Sequence, residues 1–367
     1  MAANLYVHFP FCRSRCSYCA LYSRVGASPA DRAAYVARIA DDIAQTLLNP
    51  STPQTPKPSN PQTLSTVYFG GGSPALCDLA PLRDALAPLL GEGTEFTVEL
   101  HPLDATPAKL DELKSIGVNR ISMGVQSLDD DILRAMGRGY TASDAARAFA
   151  LVKSRFDNAG IDLIAGYPGE RETGNGERGT GLEALESWGL AHCSVYSLQN
   201  ERGLKDVPDD DVVLDRIRAV AAFLKTLGLE RYEISNYARP GFECRHNFAV
   251  WRGEDYVGIG EGAYGRVGLK RTRGMGNARS PMPRRAGGET ESNAYKTTEV
   301  SSEEDLKERT IFRLRTRDGL DASRYPEWKP VLDGFVAEGL LEKKSGPVYL
   351  LTERGTEVCD SILAELV

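Results

Sequence analysis

Several features that define other protein classes are scarce in this chain of 367 residues. It has no run near the roughly 18 apolar residues that a membrane-spanning helix needs. Positive charge is not in excess either, because the formal net charge is −7, which gives no electrostatic basis for general nucleic-acid binding. The N-terminus lacks the basic region of a secretory signal and the arginines of a transit peptide, so we expect a cytoplasmic protein.

Cysteine is sparse except at one place. An odd total of seven argues against a disulfide framework and for a reducing compartment. Cys12, Cys16 and Cys19 have the spacing C-x3-C-x2-C, and three thiolates so close together form a ligand set. Three cysteines can hold a cubane [4Fe-4S] cluster with one iron left open, whereas a structural zinc site needs four protein ligands. The spacing favours the cluster, and a zinc site completed by His8 is the alternative. We interpret the remaining cysteines as buried thiols: Cys77, Cys193, Cys244 and Cys359.

Strand-like and helix-like segments alternate along the first 200 residues. After an amphipathic helix over residues 29–48, short β-rich runs precede most of the helical patterns. This alternation requires a parallel sheet with right-handed crossovers, and six strands make a partial TIM-like (β/α)6 barrel. The predicted strands are 5–9, 66–69, 95–100, 120–125, 160–166 and 192–198, and the further helices are 78–90, 107–116, 129–136, 143–155 and 180–188.

Composition divides the chain into three regions: the barrel (1–230), a connecting region (231–300) and a smaller C-terminal domain (301–367). Residues 49–65, dense in Pro, Ser and Thr, predict an exposed insertion, and residues 267–300 predict surface loop. The last region reads as helix, helix, short hairpin and helix, a winged-helix-like α+β order. Its mixed charge favours a domain that covers the barrel mouth over one that binds DNA.

Polar residues follow several predicted strands at their carboxyl ends, where ligands bind in parallel sheets. The GGGSP loop (70–74) follows the second strand, Glu99 and Gln126 lie at the ends of the next two, and the following strand carries Asp162; we expect all of them at this edge. Each one alone is commonly a cap or a turn residue, but their shared edge predicts a ligand site. Carboxylates suit ribose hydroxyls, while Arg138 is placed to meet a carboxylate of a ligand.

These residues resemble known signatures. The cysteine spacing, with Tyr18 before the last cysteine, is similar to that of the radical S-adenosylmethionine (SAM) superfamily, and the GGGSP loop resembles its GGGTP loop with Ser73 in place of Thr. Over nearly the whole chain, the resemblance narrows to the oxygen-independent coproporphyrinogen III oxidase family. The segments that carry it are Tyr6–Cys12, Phe69–Pro74, Gly117–Ser127, Asp162–Gly169, Ser194–Leu198 and Tyr232–Ala238.

The resemblance implies a set of cofactors and contacts. It implies one [4Fe-4S] cluster on the three clustered cysteines, SAM contacts at Tyr6, Gly71 and Glu99, and a reductant such as flavodoxin or ferredoxin. It also implies a second SAM near a further group of residues. That group consists of Tyr18, Gly72, Ser73, Gln126, Arg138 and Asp162.

Two features distinguish this chain from the oxidases. They carry a further cysteine two places after the third ligand, where this chain has Leu21. In addition, residues 243–251 resemble the H-N-x-x-Y-W stretch of the haem-chaperone branch of the family, often called HemW. The chain departs from that branch in having Val250, His101 and Tyr140 where the branch has an aromatic residue, Asn and His.

A loop histidine within this stretch is the candidate haem ligand. An exposed His246 imidazole can ligate haem iron while Phe248 and Trp251 cover the porphyrin face, with Cys244 as a rival ligand and a backbone-bonded histidine as the plain alternative. We therefore expect a haem chaperone that binds haem and passes it to an acceptor protein. The alternatives are a SAM-dependent coproporphyrinogen III oxidase and a non-catalytic zinc-binding module. Whether SAM is cleaved stays open at this point.

Overall fold

The computed structural model describes residues 4–48, 63–170, 181–275 and 295–366. Its strands are β1 (Asn4–Phe9), β2 (Phe11–Cys12), β3 (Arg24–Val25), β4 (Thr66–Gly71), β5 (Glu95–Leu100), β6 (Arg120–Gln126), β7 (Asn158–Ala165), β8 (His192–Ser197), β9 (Glu230–Arg231), β10 (Asn236–Ala238), β11 (Tyr256–Ile259), β12 (Tyr264–Val267), β13 (Lys270–Gly274), β14 (Tyr295–Glu299), β15 (Leu320–Asp321), β16 (Leu341–Lys343) and β17 (Val348–Leu351). Its α-helices are α1 (Pro29–Ile43), α2 (Arg83–Leu86), α3 (Pro107–Ser115), α4 (Asp130–Ala135), α5 (Ala142–Lys153), α6 (Asp210–Thr226), α7 (Arg245–Trp251), α8 (Ser302–Phe312), α9 (Lys329–Ala337), α10 (Glu353–Glu357) and α11 (Cys359–Ala364).

One large sheet organises the molecule, in the order β14-β13-β12-β11-β1-β4-β5-β6-β7-β8-β10-β9. The six predicted strands, β1 and β4 to β8, are parallel neighbours in sequence order, so the predicted barrel is confirmed. Val7, Phe69 and Val98 lie directly opposite one another on one face of this sheet and are fully buried. The short strand β11 adds a further parallel neighbour on the other side of β1.

Four of the predicted barrel helices are present and two are not α-helical, while the observed helices α6 and α7 were not predicted. Helix α1 begins at a capping box made by Ser28 and Asp31, as expected for its pattern. The predicted helix 78–90 is instead a series of short 3-10 turns around α2, because Pro81 and Pro88 lack the amide hydrogens that a continuous helix needs. The predicted helix 180–188 is also a 3-10 segment, Leu182–Trp188.

The connecting region is part of the sheet. The prediction of surface loop over residues 267–300 is wrong for its described part, since β13 pairs with β12 and β14. The basic run that begins at Lys270 therefore lies in a strand. The insertion predicted over residues 49–65 falls mostly on residues 49–62, which lie outside the described residues.

The C-terminal region has its own core. Helices α8 and α9 precede the β16–β17 hairpin, which forms a three-stranded sheet with β15, and α10 and α11 follow. Leu314, Leu332 and Ile362 are fully buried in this core. A bidentate ion pair joins the C-terminal region to the barrel, because Arg218 on α6 donates to both carboxylate oxygens of Glu357 at 2.7 Å. The described residues include no helix that is long and apolar enough to cross a membrane.

Candidate cofactor site

The three clustered cysteines lie on a loop that begins at the end of β2. All three are partly exposed free thiols. Burial, then the neighbouring Cys19 and Cys16, raises the pKa of the Cys12 thiol to about 11, so the three groups are close enough to interact. Arg138 donates to the Cys16 sulfur at 3.4 Å and places a positive charge where thiolates would form. The donor set and its surroundings fit an iron–sulfur cluster.

The glycine loop after β4 packs directly on this cysteine loop. The Gly72 amide donates to the Phe9 carbonyl and the Ser73 amide donates to the Phe11 carbonyl, both at 2.7 Å. A Cβ atom at Gly72 would lie 2.6 Å from the Phe11 carbonyl oxygen and 2.9 Å from the Cys12 sulfur. Only glycine permits this approach, so the loop positions the first cysteine.

The zinc alternative with His8 is wrong on this geometry, because both ring nitrogens of His8 are already used. Nε2 donates to the Tyr22 carbonyl at 2.9 Å, and Nδ1 therefore accepts from the Tyr6 hydroxyl at 3.0 Å. Within the described residues, no three His, Cys, Asp or Glu side chains are gathered around a point that one metal ion could occupy. A four-iron cluster spreads its thiolates further apart than a single ion does.

Two carboxylates lie inside the barrel, Glu99 near the end of β5 and Asp162 in the middle of β7. Glu99 accepts from the Tyr68 hydroxyl at 2.9 Å and from the Gly71 amide at 3.0 Å. Burial, and then repulsion from Asp162, raises the pKa of Glu99 to about 7. Burial also raises the pKa of Asp162, which accepts from the Ser122 hydroxyl at 3.0 Å. The two carboxylates are close enough to interact, as predicted, but Asp162 lies in the middle of its strand rather than at the end.

Arg138 joins the cysteine loop to the end of β6. It donates to the Gly124 carbonyl at 2.8 Å and to the Tyr18 hydroxyl at 3.4 Å, in addition to Cys16. Gln126 follows a β-bulge with a positive φ of 70°. A Cβ atom at Gly124 would lie 2.6 Å from the Gln126 side-chain amide nitrogen and 3.5 Å from an Arg138 guanidinium nitrogen. The Gln126 side chain therefore folds back toward Arg138. Tyr18, Gln126 and Arg138 thus share one corner of the barrel mouth.

Two departures from the haem-chaperone pattern contact each other at this corner. The rings of His101 and Tyr140 meet edge to face with centroids 5.1 Å apart. The Tyr140 hydroxyl donates to the carbonyls of Gly124 and Val125 and accepts from Arg138. His101 and Tyr140, which both differ from the haem-chaperone pattern, therefore pack together, and Tyr140 supports Arg138.

His246 is placed differently from its prediction. It lies in helix α7 rather than in an exposed loop, and only 4% of its surface is exposed. Glu95 on β5 fixes the start of this helix, because its carboxylate accepts from the amides of Arg245 and His246 at 3.0 Å. The imidazole packs against the rings of Tyr6 and Tyr68, with centroids 6.3 and 5.1 Å away.

A chain of hydrogen bonds sets which nitrogen of His246 carries the proton. The Asn4 amide nitrogen donates to the Asp255 carbonyl at 3.0 Å, so its oxygen accepts from the Thr66 hydroxyl at 2.8 Å. The Thr66 oxygen then accepts from His246 Nδ1 at 2.8 Å. Burial, then the charge of Arg120, lowers the pKa of His246 to about 3, so the ring is neutral and Nε2 keeps its lone pair.

A cavity of about 530 Å³ lies between the barrel, the end of the cysteine loop and α7. Of the predicted site residues in the described part of the chain, Tyr6, Glu99 and His246 line it, whereas the three cysteines, Gly71 and the six residues assigned to a second SAM do not. Its wall includes Tyr6 and Glu99 from the barrel, Leu21 from the cysteine loop, and His246 and Trp251 from α7. Phe248, expected beside them, packs instead against Tyr232. Cys244 is fully buried at the start of α7, which leaves it no exposed surface for a ligand.

Sequence reasoning missed several residues of the cavity wall. They come from strands and turns whose pairing is not local in sequence: Tyr68, Tyr196, Glu233, Tyr256, Tyr264 and Arg273. The sequence does indicate that Tyr68 lies near the site, since it belongs to a predicted strand and lies two residues before the glycine loop. Tyr264 and Arg273 belong to strands that the sequence did not predict, so their approach to the cavity could not be inferred.

Comparisons with known proteins show the family of the chain. The Radical SAM superfamily model matches residues 6–173. The chain is 30% identical to the heme chaperone HemW of Mycobacterium tuberculosis (strain ATCC 25618 / H37Rv), over 99% of this chain and 94% of that protein. The chain belongs to the HemW family of radical SAM proteins. The HemW of Bacillus subtilis (strain 168) is 29% identical, over 99% of this chain and 100% of that protein.

The fold of this HemW-family chain also occurs in a solved structure. The coproporphyrinogen III oxidase HemN of Escherichia coli, described as a radical SAM enzyme, superimposes with a TM-score of 0.78. At 19% identity, with 99% of this chain and 89% of that chain covered, this likeness shows the fold alone. The predicted radical SAM barrel and haem-chaperone branch are confirmed, and the radical SAM domain implies a [4Fe-4S] cluster and SAM.

Proposed function

We propose that this chain is a haem chaperone that binds a [4Fe-4S] cluster, SAM and haem, and transfers haem to an acceptor protein. The cavity is the observation that supports this most. It lies between residues 20–22, which directly follow the third cysteine, Glu99 near the end of β5, and the segment that resembles the haem-chaperone stretch. Its volume of about 530 Å³ lies in the range of about 300–1,000 Å³ that is usual for sites of small molecules and cofactors.

Cys12, Cys16 and Cys19 would hold the cluster, which supplies an electron at its open iron when it is bound. Tyr6 and Glu99, which line the cavity, would contact SAM together with Gly71. The carboxylate of Glu99 still has lone pairs for ribose hydroxyls after accepting its two hydrogen bonds. The residues proposed for a second SAM are Tyr18, Gly72, Ser73, Gln126, Arg138 and Asp162.

His246 would hold the haem iron through Nε2. This nitrogen carries the lone pair of a neutral ring, and the ring lines the cavity. The aromatic side chains of Tyr6, Trp251 and Tyr256 provide apolar surface around it. Cys244 is a poorer ligand, because it is buried behind the start of α7 and burial raises the pKa of its thiol to about 12.

Haem titration of anaerobically purified protein tests this function. Wild-type protein should give a Soret shift with about one haem per chain, which His246→Ala weakens and Cys244→Ala does not. Coproporphyrinogen, SAM and a reductant should yield no protoporphyrinogen. Robust decarboxylation, or a haem affinity that neither His246→Ala nor Cys244→Ala changes, supports the oxidase instead. Transfer is then measured as movement of the haem spectrum to an added apo-haemoprotein.

Anaerobic reconstitution tests the cluster separately. About four irons per chain with thiolate-to-iron absorption are expected, and Cys16→Ala should lose both while keeping the far-ultraviolet circular dichroism of the folded barrel. Addition of SAM should change the paramagnetic spectrum of the reduced cluster. Stoichiometric zinc without iron would contradict the cluster, and an unchanged spectrum would contradict the SAM site.

A further inference from the structure

The outer edge of the cavity carries a row of residues across three strands. Tyr264 on β12 lies directly opposite Arg273 on β13, and Arg273 lies opposite Lys296 on β14. Residues directly opposite each other in antiparallel strands share one face of the sheet, so the three side chains are neighbours. Tyr264 and Arg273 line the cavity. We refer to these three residues as the rim row.

The two cations of the rim row have no carboxylate to neutralise them among the described residues. Like charges directly opposite each other destabilise a strand pair, so this arrangement is costly unless an anion joins it. Arg271, two residues earlier on the same strand, shows the contrast: it pairs with Asp305 at 2.6 Å and Glu308 at 2.7 Å. The Arg273 guanidinium instead lies 5.2 Å from the centre of the Tyr264 ring.

The charged side chains of the cavity are separated by sign, with carboxylates at the inner wall and a cation at the outer edge. Its carboxylates, Glu99 and Glu233, are held at the inner wall, where Glu233 accepts from the Ser235 amide at 3.1 Å. Arg273 is the one Lys or Arg side chain that lines the cavity in the described part of the chain, and it is exposed. A ligand with an apolar ring and an anionic edge would therefore orient its anionic edge toward the rim.

We propose that Arg273, stacked on Tyr264, binds a propionate carboxylate of the porphyrin and so makes the cavity selective for porphyrins with free carboxylates. This inference rests on the proposed haem site, in which His246 at the inner wall meets the iron. A planar guanidinium can donate two parallel hydrogen bonds to a carboxylate, and its ring stacking pre-orients it. Lys296 adds positive potential without lining the cavity.

The test compares haem with haem dimethyl ester, in which both carboxylates are blocked. Arg273→Gln should weaken haem binding about fivefold to tenfold at low salt, the loss expected for a charge-assisted contact at a partly exposed site. The same variant should bind the dimethyl ester within about twofold of wild type. The matched control is Lys344→Gln, which removes one exposed positive charge from the C-terminal domain and should change neither affinity.

The outcomes separate this inference from the proposed function. Haem binding by wild type that Arg273→Gln leaves unchanged overturns the role of Arg273 and keeps the haem site. Equal losses for haem and its ester also overturn it, because they indicate general damage to the cavity. Failure of wild type to bind either compound overturns the haem site itself. Circular dichroism and the melting temperature confirm that Arg273→Gln is folded.

Discussion

At the scale of single residues, the state of His246 is decided by side chains on two neighbouring strands. Thr66 on β4 accepts from Nδ1 only because its own proton goes to Asn4 on β1. Outer partners of this kind hold the tautomer and orientation of a metal-binding histidine. The imidazole is therefore prepared for a ligand at Nε2 before any ligand arrives.

Thr66→Val should change which ring nitrogen of His246 carries the proton. Valine keeps the shape of threonine but leaves His246 Nδ1 and the Asn4 oxygen without a partner, at a cost of about 1–3 kcal/mol in the free energy of unfolding. Because the proton is then free to move to Nε2, haem affinity should fall about 10- to 100-fold. Nitrogen-15 NMR of the His246 ring in the haem-free protein, together with haem titration, measures both effects.

The control for this experiment is Thr97→Val on β5. Thr97 is fully buried and its hydroxyl has no hydrogen-bond partner among the described residues, so valine should cost little or even stabilise the protein. Its haem affinity and the NMR signals of His246 should match those of wild type. An unchanged His246 tautomer in Thr66→Val would show that the hydroxyl does not set it.

Glu99 should give the haem-free protein a distinct pH dependence. The unfolded chain releases this proton near pH 4.5, whereas the folded chain holds it to about pH 7 because the carboxyl is buried beside Asp162. The folded state therefore binds more protons in this window and loses stability as pH rises through it, by about 1.4 kcal/mol per unit of pKa difference. Glu99→Gln should remove this part of the loss, as measured by denaturant unfolding from pH 5 to 8.

The comparison variant for the pH series is Glu186→Gln, which changes an exposed carboxylate on the 3-10 segment before β8. It should leave the slope of stability against pH as in wild type. If Glu99→Gln and Glu186→Gln give the same slope, Glu99 does not hold its proton to neutral pH. The direction is the decisive part, since a carboxylate stabilised by an ion pair would give the opposite slope.

The chemistry of single residues was predictable where it is local in sequence. The cysteine spacing requires no knowledge of the fold, and the position of Glu99 follows from the end of one strand. The burial of His246 was not predictable, because it depends on α7 packing across β4 and β1, which lie about 180 and 240 residues earlier in the chain. A local motif identifies the residue but not its surroundings.

At the scale of elements, the glycine loop and the cysteine loop act as one unit. Gly72→Ala places a methyl group within 2.6 Å of the Phe11 carbonyl oxygen, and a backbone atom there cannot move aside cheaply. The cysteine loop must shift, so we expect the variant to bind less than half of the wild-type iron after anaerobic reconstitution. Iron analysis and the thiolate-to-iron absorption measure this loss.

Gly93→Ala is the matched control for this variant. A Cβ atom at Gly93 meets nothing within 4 Å, and its backbone does not have the positive φ that favours glycine. Iron content should equal that of wild type, and the circular dichroism of both variants should show a folded barrel. Full iron loading of Gly72→Ala would mean that the two loops do not depend on each other.

The strands were predictable in proportion to their length, but the helices were not, since α6, with 17 residues the longest described helix, was not predicted. Strands of six to eight residues carry a readable apolar pattern, and β1 and β4 to β8 were all anticipated. The strands β11 to β14 have only four or five residues each, and β12 to β14 contain charged positions, so their pattern resembles that of loops. Their pairing comes from the edge that β1 offers, a non-local contact that sequence periodicity does not report.

At the scale of the whole molecule, the C-terminal domain supports one wall of the cavity. Ile234 lines the cavity and packs against the core of this domain. The adjacent Glu233 forms a β-bridge with Thr316, and the Arg317 amide donates to the Tyr232 carbonyl at 3.0 Å. The shape of the cavity thus depends on a region that contributes little of its lining.

Ile234→Ala should therefore affect both stability and binding. It removes side-chain volume from the contact between the C-terminal core and the cavity, so we expect a loss of about 1–3 kcal/mol in the free energy of unfolding, since the site is only partly buried. The wall also loses its support, so haem affinity should fall about threefold or more.

Leu332→Ala is the control for this variant. It removes side-chain volume from the same core at a fully buried position away from the cavity. The free energy of unfolding should fall by about 2–5 kcal/mol, while the folded protein keeps its haem affinity. Denaturant unfolding and haem titration of the two variants, made under conditions in which both are folded, measure these effects. Equal haem affinity in Ile234→Ala and wild type would show that the C-terminal domain does not shape the cavity, whatever the cost in stability.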